Sequence, residues 1–137
     1  MNTDLLCLIL LLMSARAVLV RLGEVIRRCL RKTDSAYRFG GEEFTVILPG
    51  TTGDAATILA ERIRTEYESE DFRPLDSPES LHETVSIGVA QYILQEGLRP
   101  FLKCADSNMY SAKRQGKNRV CFREEQGNTK KQTSCHT

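Results

Sequence analysis

The sequence predicts one α/β domain in which a single sheet is covered by helices, and three observations predict it. The chain has 137 residues, about the length of one domain. Helical spacing of apolar residues alternates with β-favouring runs in the order helix, strand, strand, helix, strand, helix, strand. A net charge of +1 and 41% hydrophobic residues are ordinary for a globular protein. This charge gives no general case for binding a nucleic-acid polymer or an anionic membrane.

The first predicted helix begins at Val18. Apolar residues recur every three or four positions and share one face: Val18, Leu19, Leu22, Val25, Ile26, Cys29 and Leu30. Basic residues cluster near its carboxyl end, where cations complement the helix dipole: Arg27, Arg28, Arg31 and Lys32. This pattern indicates an amphipathic helix packed on a core.

A β-hairpin and a second helix follow. Two β-favouring runs flank Gly40 and Gly41, which can adopt the positive φ angles of a tight turn. Pro49 ends the second strand, and either Thr51 or Thr52 can cap the next helix. The apolar face of that helix consists of Ala56, Leu59, Ile63 and Tyr67.

The remaining elements end in a polar tail. Residues 70–79 contain two prolines and are predicted to form a loop. Residues 84–91 alternate as a strand whose second face carries only small groups, so a helix can pack closely against it. Residues 98–114 are predicted as that helix and residues 120–122 as a last strand. The domain thus covers residues 18–123, and residues 124–137 are expected to be disordered.

An atypical apolar segment occupies residues 1–17. Its nine apolar residues at 5–13 are too few to span a bilayer, which takes about 20. They have the length of a signal-peptide core, but neither Lys nor Arg precedes them. The five cysteines include no Cys-x-x-Cys pair, so reduced thiols and a cytoplasmic location are expected. A membrane-anchored or exported protein is the alternative, and it depends on residues 5–13 alone.

Paired carboxylates follow the two glycines at the predicted hairpin. Glycine has no Cβ, so the turn at Gly40 and Gly41 lets the backbone approach a ligand closely. If Glu42 and Glu43 begin a strand, they project to opposite faces. Mg²⁺ on a nucleoside triphosphate is typically held by one or two such carboxylates. From these residues alone, a solvated hairpin tip remains an equal alternative.

Four motifs in order resemble one family. Residues 38–44, which contain Arg38 and Phe44, are similar to the R-x-G-G-[DE]-E-F signature of the GGDEF family of diguanylate cyclases. Residues 60–64 resemble the helix that follows it, and residues 84–90 its central strand. Residues 105–120 resemble the ending AD-x-x-MY-x-AK-x-x-G-[RK]-N-x-V. The resemblance covers roughly residues 18–122.

The resemblance implies a fold and an activity. The fold would be a mostly antiparallel sheet flanked by helices, as in nucleotide cyclase and palm-type polymerase domains. As a homodimer, each subunit would hold one GTP with Mg²⁺ or Mn²⁺, and two GTP would condense to cyclic di-GMP with loss of two pyrophosphates. A catalytically impaired domain that binds cyclic di-GMP or GTP as a signalling module is the alternative.

The resemblance also assigns roles at the nucleotide site. Glu42 would bind the metal, and Glu43 would assist metal binding or activate the nucleophile. The glycine turn would lie against the nucleotide. Lys113 and Lys117 would contact its phosphates, which suits their compact point charges. Plain surface charge is the alternative for both lysines.

A second motif is similar to the family's R-x-x-D product-inhibition site. It consists of Arg31 and Asp34, six residues before the first glycine. Arg31 could contact guanine N7 and O6 with its guanidinium fork, while Asp34 accepts from the guanine edge. Arg62, on the next helix, would complete this product-binding site. A helix end with a cationic cap is the alternative.

The resemblance fails upstream of Val18. Family members begin with a strand that bears a metal-binding Asp, followed by FK-x-x-ND and GH-x-x-GD segments, which this sequence lacks. Measured back from the glycine turn, that Asp falls before Met1, and the residues that read guanine coincide with Cys7 and Arg16. We therefore expect a truncated or frame-altered segment and a missing first strand. Residues 5–13 could replace that edge strand without its carboxylate.

Overall fold

The computed structural model describes residues 5–13, 19–38, 41–71, 82–123 and 133–136. Three helices and six strands occur within these ranges. In chain order they are β1 (Leu6–Met13), α1 (Leu19–Cys29), β2 (Ser35–Arg38), β3 (Glu43–Pro49), α2 (Gly53–Ser69), β4 (Val85–Gln91), α3 (Leu98–Arg114), β5 (Arg119–Arg123) and β6 (Thr133–His136). Most of the predicted loop at residues 70–79 lies outside the described ranges.

The six strands form one sheet with the order β2-β3-β1-β4-β5-β6. Neighbouring strands are antiparallel except β4 and β5, which are parallel. The helices α1 and α2 cover one face of the sheet, and α3 covers the other. The predicted fold class, a mostly antiparallel sheet flanked by helices, is confirmed.

The apolar run of β1 lies in the middle of the sheet, between β3 and β4. Its odd-numbered residues Cys7, Ile9 and Leu11 pack into the core beneath α1 and α2, while Leu8 and Leu10 pack on the α3 side. A strand buried on both faces is apolar at every position, which explains the unbroken run. The expectation of a missing first strand is therefore corrected, because these residues form a central strand and not an edge.

Close packing of α3 on β4 depends on Gly88. A Cβ at Gly88 would collide with the backbone of Ala105 and Met109, so no larger residue fits without moving the helix. The prediction of a strand with a small-residue face against a helix is confirmed. At the other side of the sheet, Thr52 caps α2 by accepting a hydrogen bond from the Ala55 N–H at 3.2 Å.

The carboxyl-terminal part of the chain differs from the prediction. The stretch expected to be disordered includes β6, which pairs antiparallel with β5. Cys121 is disulfide-bonded. In the strand register, the backbone of Cys135 in β6 lies opposite Cys121 in β5. This corrects the expectation of reduced thiols for Cys121. Three other cysteines, Cys7, Cys29 and Cys104, are reduced thiols.

Within the described ranges, no helix combines the length and the apolar character that crossing a membrane requires.

Candidate functional site

One end of the sheet brings Glu43 to the same side of the molecule as the two lysines of the predicted nucleotide site. The carboxyl end of β1 meets the amino ends of β3, β4 and β5 there. Strand pairing places four residues in one row across the sheet: Glu43, Leu12, Ser86 and Arg119. The hairpin turn that precedes Glu43 therefore lies at the same end as the turn that precedes Arg119.

The direction of α3 brings the two lysines to this end. Asn108, in the middle of α3, is buried and donates from Nδ2 to the Val89 carbonyl at 2.8 Å. From there α3 runs antiparallel to β4, and the chain enters β5 at Arg119. Lys113 in the last turn of α3 and Lys117 just beyond it thus lie at the end where β3 begins. Both lysine side chains are exposed.

Glu43 is half-buried on the α3 face of the sheet. Burial is the main cause that raises its pKa, and the nearby carboxylate of Asp106 raises it further. A desolvated carboxylate beside a second negative charge is stabilised by a cation. Glu43 is therefore suited to accept a proton or to bind a divalent ion.

Asp106 is the residue that the sequence interpretation missed. It belongs to the AD-x-x-MY motif, but the resemblance gives it no role at the nucleotide site. Its position seven residues before Lys113, two turns along the same helix, was the available signal, because such residues share a helix face.

The hairpin turn itself is described only in part. Gly41 is exposed, and its carbonyl accepts a hydrogen bond from Arg38 Nη2 at 3.1 Å. Glu42 follows it and is half-buried. Gly40 lies outside the described residues, so the predicted contact of the glycine turn with a nucleotide stays a prediction.

The donor set bears on which metal could be held. β1 carries no carboxylate, and Leu12 occupies the position opposite Glu43. In the described part of the chain, no three His, Cys, Asp or Glu side chains gather as a metal cluster. Glu42 and Glu43 suit a Mg²⁺ ion that one or two carboxylates hold together with substrate phosphates. They do not suit an ion enclosed by protein ligands alone.

Arg31 and Asp34 form a tight pair just after α1. Asp34 accepts from the Arg31 Nη2 at 3.0 Å, Nε at 3.2 Å and backbone N–H at 2.9 Å. The hydrogen bond to Asp34 raises the pKa of Arg31. Arg31 Nη2 also donates to Thr51 Oγ1 at 2.6 Å and to the Pro49 carbonyl at 3.2 Å. These contacts hold the guanidinium in one orientation.

An open pocket of about 420 Å³ lies beside this pair. Its walls come from α1, β2, β3 and the segment after α1: Gly23, Ile26, Arg27, Leu30, Arg31, Lys32, Asp34, Ala36 and Phe44. Three cations and one carboxylate line it, so the pocket favours an anionic ligand with polar edges.

Arg62 takes a different position. Its side chain is 60% exposed on α2, and Nε donates to Glu66 Oε1 at 3.3 Å. Glu66 also accepts from the Cys29 thiol at 3.3 Å. The structure thus brings Arg31 and Asp34 together, whereas it pairs Arg62 with Glu66.

Comparison with known proteins gives a consistent result. The family model described as "Diguanylate cyclase, GGDEF domain" matches residues 14–119. Diguanylate cyclase A of Treponema denticola is 38% identical over 104 residues, which are 75% of this chain and 28% of that protein. The uncharacterized protein YhcK of Bacillus subtilis is 43% identical over 110 residues, 78% of this chain and 30% of its own length. The chain therefore spans less than a third of these relatives.

A solved structure of a GGDEF domain also has a similar fold. The GGDEF domain of DgcB from Caulobacter crescentus, in complex with c-di-GMP, aligns with a TM-score of 0.81 and 28% identity. The alignment covers 86% of this chain and 77% of that one.

Proposed function

Because the chain belongs to the GGDEF-domain family of diguanylate cyclases, we propose that its sheet end binds GTP with a divalent cation and condenses two GTP to cyclic di-GMP. The convergence of Glu43, Lys113 and Lys117 at one end of the sheet carries this proposal. This arrangement places carboxylates, which can bind a metal ion or accept a proton, near lysines, which can bind phosphates. The proposal places the domain in the cytoplasm, as a homodimer with one GTP in each subunit.

In the proposed reaction, the ribose 3′-oxygen of one GTP attacks the α-phosphorus of the other, and pyrophosphate leaves. Glu43 accepts the hydroxyl proton, a role for which its raised pKa is suitable. Lys113 and Lys117 offset the negative charge of the phosphates. Mg²⁺ or Mn²⁺ on Glu42, when bound, supplies charge stabilisation at the attacking and leaving oxygens. Two such steps close the ring and release two pyrophosphates.

The absence of a carboxylate on β1 limits the expected rate. Without the first-strand Asp that the family resemblance implies, metal affinity or activity should fall by at least roughly 10- to 100-fold, the loss typical when a residue that hydrogen-bonds to a metal ligand is changed. The test is to incubate the purified chain with GTP and Mg²⁺ or Mn²⁺ at high protein concentration and to separate the products by chromatography. Slow formation of cyclic di-GMP is expected, and Glu43→Gln should abolish it.

Glu96→Gln is the matched control, because this exposed glutamate lies near the amino end of α3, away from the lysines. Its activity should equal that of the unchanged chain. If neither metal yields cyclic di-GMP, synthesis by this chain is refuted.

A second candidate function is binding of cyclic di-GMP without synthesis. It is favoured by the apolar composition of β1 together with the ordered Arg31–Asp34 pair beside its pocket. Arg31 would contact guanine N7 and O6, and Asp34 would accept from the guanine edge. Arg62 would have to leave Glu66 to complete the site.

Calorimetric titration with cyclic di-GMP tests this candidate. Arg31→Ala should weaken binding by roughly 5- to 150-fold, as expected for a bidentate base contact of about 1–3 kcal/mol. Arg28→Gln, which removes a nearby arginine outside the pocket lining, is the control. Equal affinity in Arg31→Ala and the unchanged chain would exclude the site.

A further inference from the structure

A buried arginine of α2 is tied to the turn that follows α3. The Arg64 side chain is 9% exposed, and its Nε donates to both carboxylate oxygens of Glu61 at 2.9 Å. Its Nη1 donates to Glu68 Oε2 at 3.1 Å and to Asn118 Oδ1 at 3.0 Å. Asn118 Nδ2 in turn donates to Glu68 Oε1 at 3.0 Å. Arg64, Glu68 and Asn118 thus form a closed ring of side chains, here named the Arg64 ring.

The backbone held by this ring is unusual. Three successive residues have positive φ: Gly116 at 123°, Lys117 at 64° and Asn118 at 47°. Glycine adopts such angles freely, but Lys117 has a Cβ and is disfavoured there. On the α3 side, the Lys117 N–H donates to the Ala112 carbonyl at 3.0 Å, which closes the end of the helix. On the other side, the Arg64 ring fixes Asn118.

Lys117 is therefore held by its own N–H on the α3 side and by the anchored Asn118 on the other. The lysine ammonium sits at the end of a flexible four-carbon stem. The backbone conformation sets the position and direction of the Cα–Cβ bond, and thereby the region that the ammonium can reach. Without the ring, the turn could relax to φ and ψ angles that lysine prefers. The Cβ of Lys117 would then move, and its ammonium would reach a different region.

We propose that Arg64 is a positioning residue for phosphate binding. Through Asn118 it holds Lys117 in the left-handed conformation from which Lys117 and Lys113 together meet the phosphates of the nucleotide. This inference rests on the function proposed above, since the ligand is the phosphate chain of GTP. A ring that only fastened α2 to the turn would stabilise the fold without affecting phosphate affinity.

The test is calorimetric titration of the full chain with magnesium pyrophosphate. Asn118→Gly is the informative variant, because glycine tolerates positive φ but cannot join the ring. Asn118→Gly and Lys117→Ala should each weaken binding about tenfold. If Asn118 acts through Lys117, the variant that combines Asn118→Gly with Lys117→Ala should bind pyrophosphate no more weakly than Lys117→Ala alone.

Two further variants separate positioning from stability. Arg64→Lys keeps the charge but loses the planar fork, and it should reproduce the loss seen in Asn118→Gly. Arg28→Gln removes a different arginine–carboxylate contact, the 2.8 Å hydrogen bond to Glu70, and should leave pyrophosphate affinity unchanged. Thermal unfolding of each variant shows whether a loss of affinity merely reflects a loss of fold.

The outcomes are distinguishable. If Lys117→Ala weakens binding but Asn118→Gly does not, or if the two losses multiply, the positioning role is overturned and the proposed nucleotide site stands. If Lys117→Ala itself has no effect, Lys117 is not a phosphate ligand and the inference fails. If the unchanged chain binds neither magnesium pyrophosphate nor magnesium GTP, both the proposed nucleotide site and the inference are refuted.

Discussion

Leu12 of β1 and Glu43 of β3 are directly opposite each other in the antiparallel register. Residues opposite one another on neighbouring strands project to the same face of the sheet. The cross-strand neighbour of this carboxylate on β1 is therefore an apolar side chain, which packs against the core on the α3 side. This neighbourhood is consistent with burial as the main cause of the raised pKa of Glu43.

Replacing Leu12 by Asp should strengthen metal binding. A carboxylate at this position would face Glu43 and supply the ligand that β1 lacks, so Mg²⁺ affinity in the presence of GTP should rise by about 10- to 100-fold. Titration of Mg²⁺ into the GTP-saturated chain measures the change. Leu12→Asn is the control, because asparagine has nearly the shape of aspartate but carries no charge. Equal affinities in the Asp and Asn variants would contradict the prediction.

Glu43→Gln should make the fold more stable at neutral pH. The folded state raises the pKa of Glu43 above its ordinary value of 4.5, so the unchanged chain loses stability as pH rises through the folded-state pKa. The advantage of the variant in free energy of unfolding should therefore be smallest below pH 4.5 and grow above it. Urea unfolding across this range measures it, with Glu96→Gln as reference. An advantage that shrinks as pH rises would contradict the pKa shift.

Gly88→Ala should destabilise the domain. Its new methyl group would collide with the backbone of α3 at Ala105 and Met109, so the helix must move away from β4. A loss of about 1–3 kcal/mol in the free energy of unfolding is expected. Gly23→Ala in α1 is the matched control, because nothing lies within 4 Å of its added Cβ. That variant should gain about 0.5–1 kcal/mol from helix propensity, and equal effects at both sites would refute the packing argument.

Gly53→Ala should also destabilise the domain, and a second change should relieve the effect. Its Cβ would overlap the ring of Phe122. A loss of about 1–3 kcal/mol is expected from this overpacking. In a Phe122→Leu background the smaller side chain leaves room, so the same substitution should cost at least about 0.5 kcal/mol less. Denaturant unfolding of the four proteins measures the coupling, and strict additivity would show that the ring is not the obstacle.

Local patterns sufficed for much of the fold. Helical spacing of apolar residues identified α1 and α2, and the small-residue face of β4 predicted the close approach of α3 at Gly88. These features depend on residues a few positions apart, where periodicity is informative. The hairpin was recognisable from its adjacent glycines for the same reason.

Long-range features were not predictable in this way. An unbroken apolar run such as β1 is compatible with a buried strand, a core helix or a signal-peptide core, and only its pairing with β3 and β4 decides. The Arg64 ring joins residues 54 positions apart. β6 is a polar strand of only four residues, and its pairing with β5 identifies it as a strand. At the candidate site, motif matching found Glu43 and the lysines, whereas the effect of Asp106 on the pKa of Glu43 depends on the folded arrangement of residues 63 positions apart.

The central place of β1 has a consequence during synthesis. β1 leaves the ribosome well before its partner β4, which begins about 70 residues later, as the pairing of Met13 with Val85 requires. At translation rates of about 5–20 residues per second, the run LCLILLLM waits on the order of 4 to 14 s for that partner. A β-capable segment with no charge and no proline is prone to aggregate while exposed. The nascent chain therefore depends on early shielding of these eight residues, for example by a chaperone, more than the finished domain does.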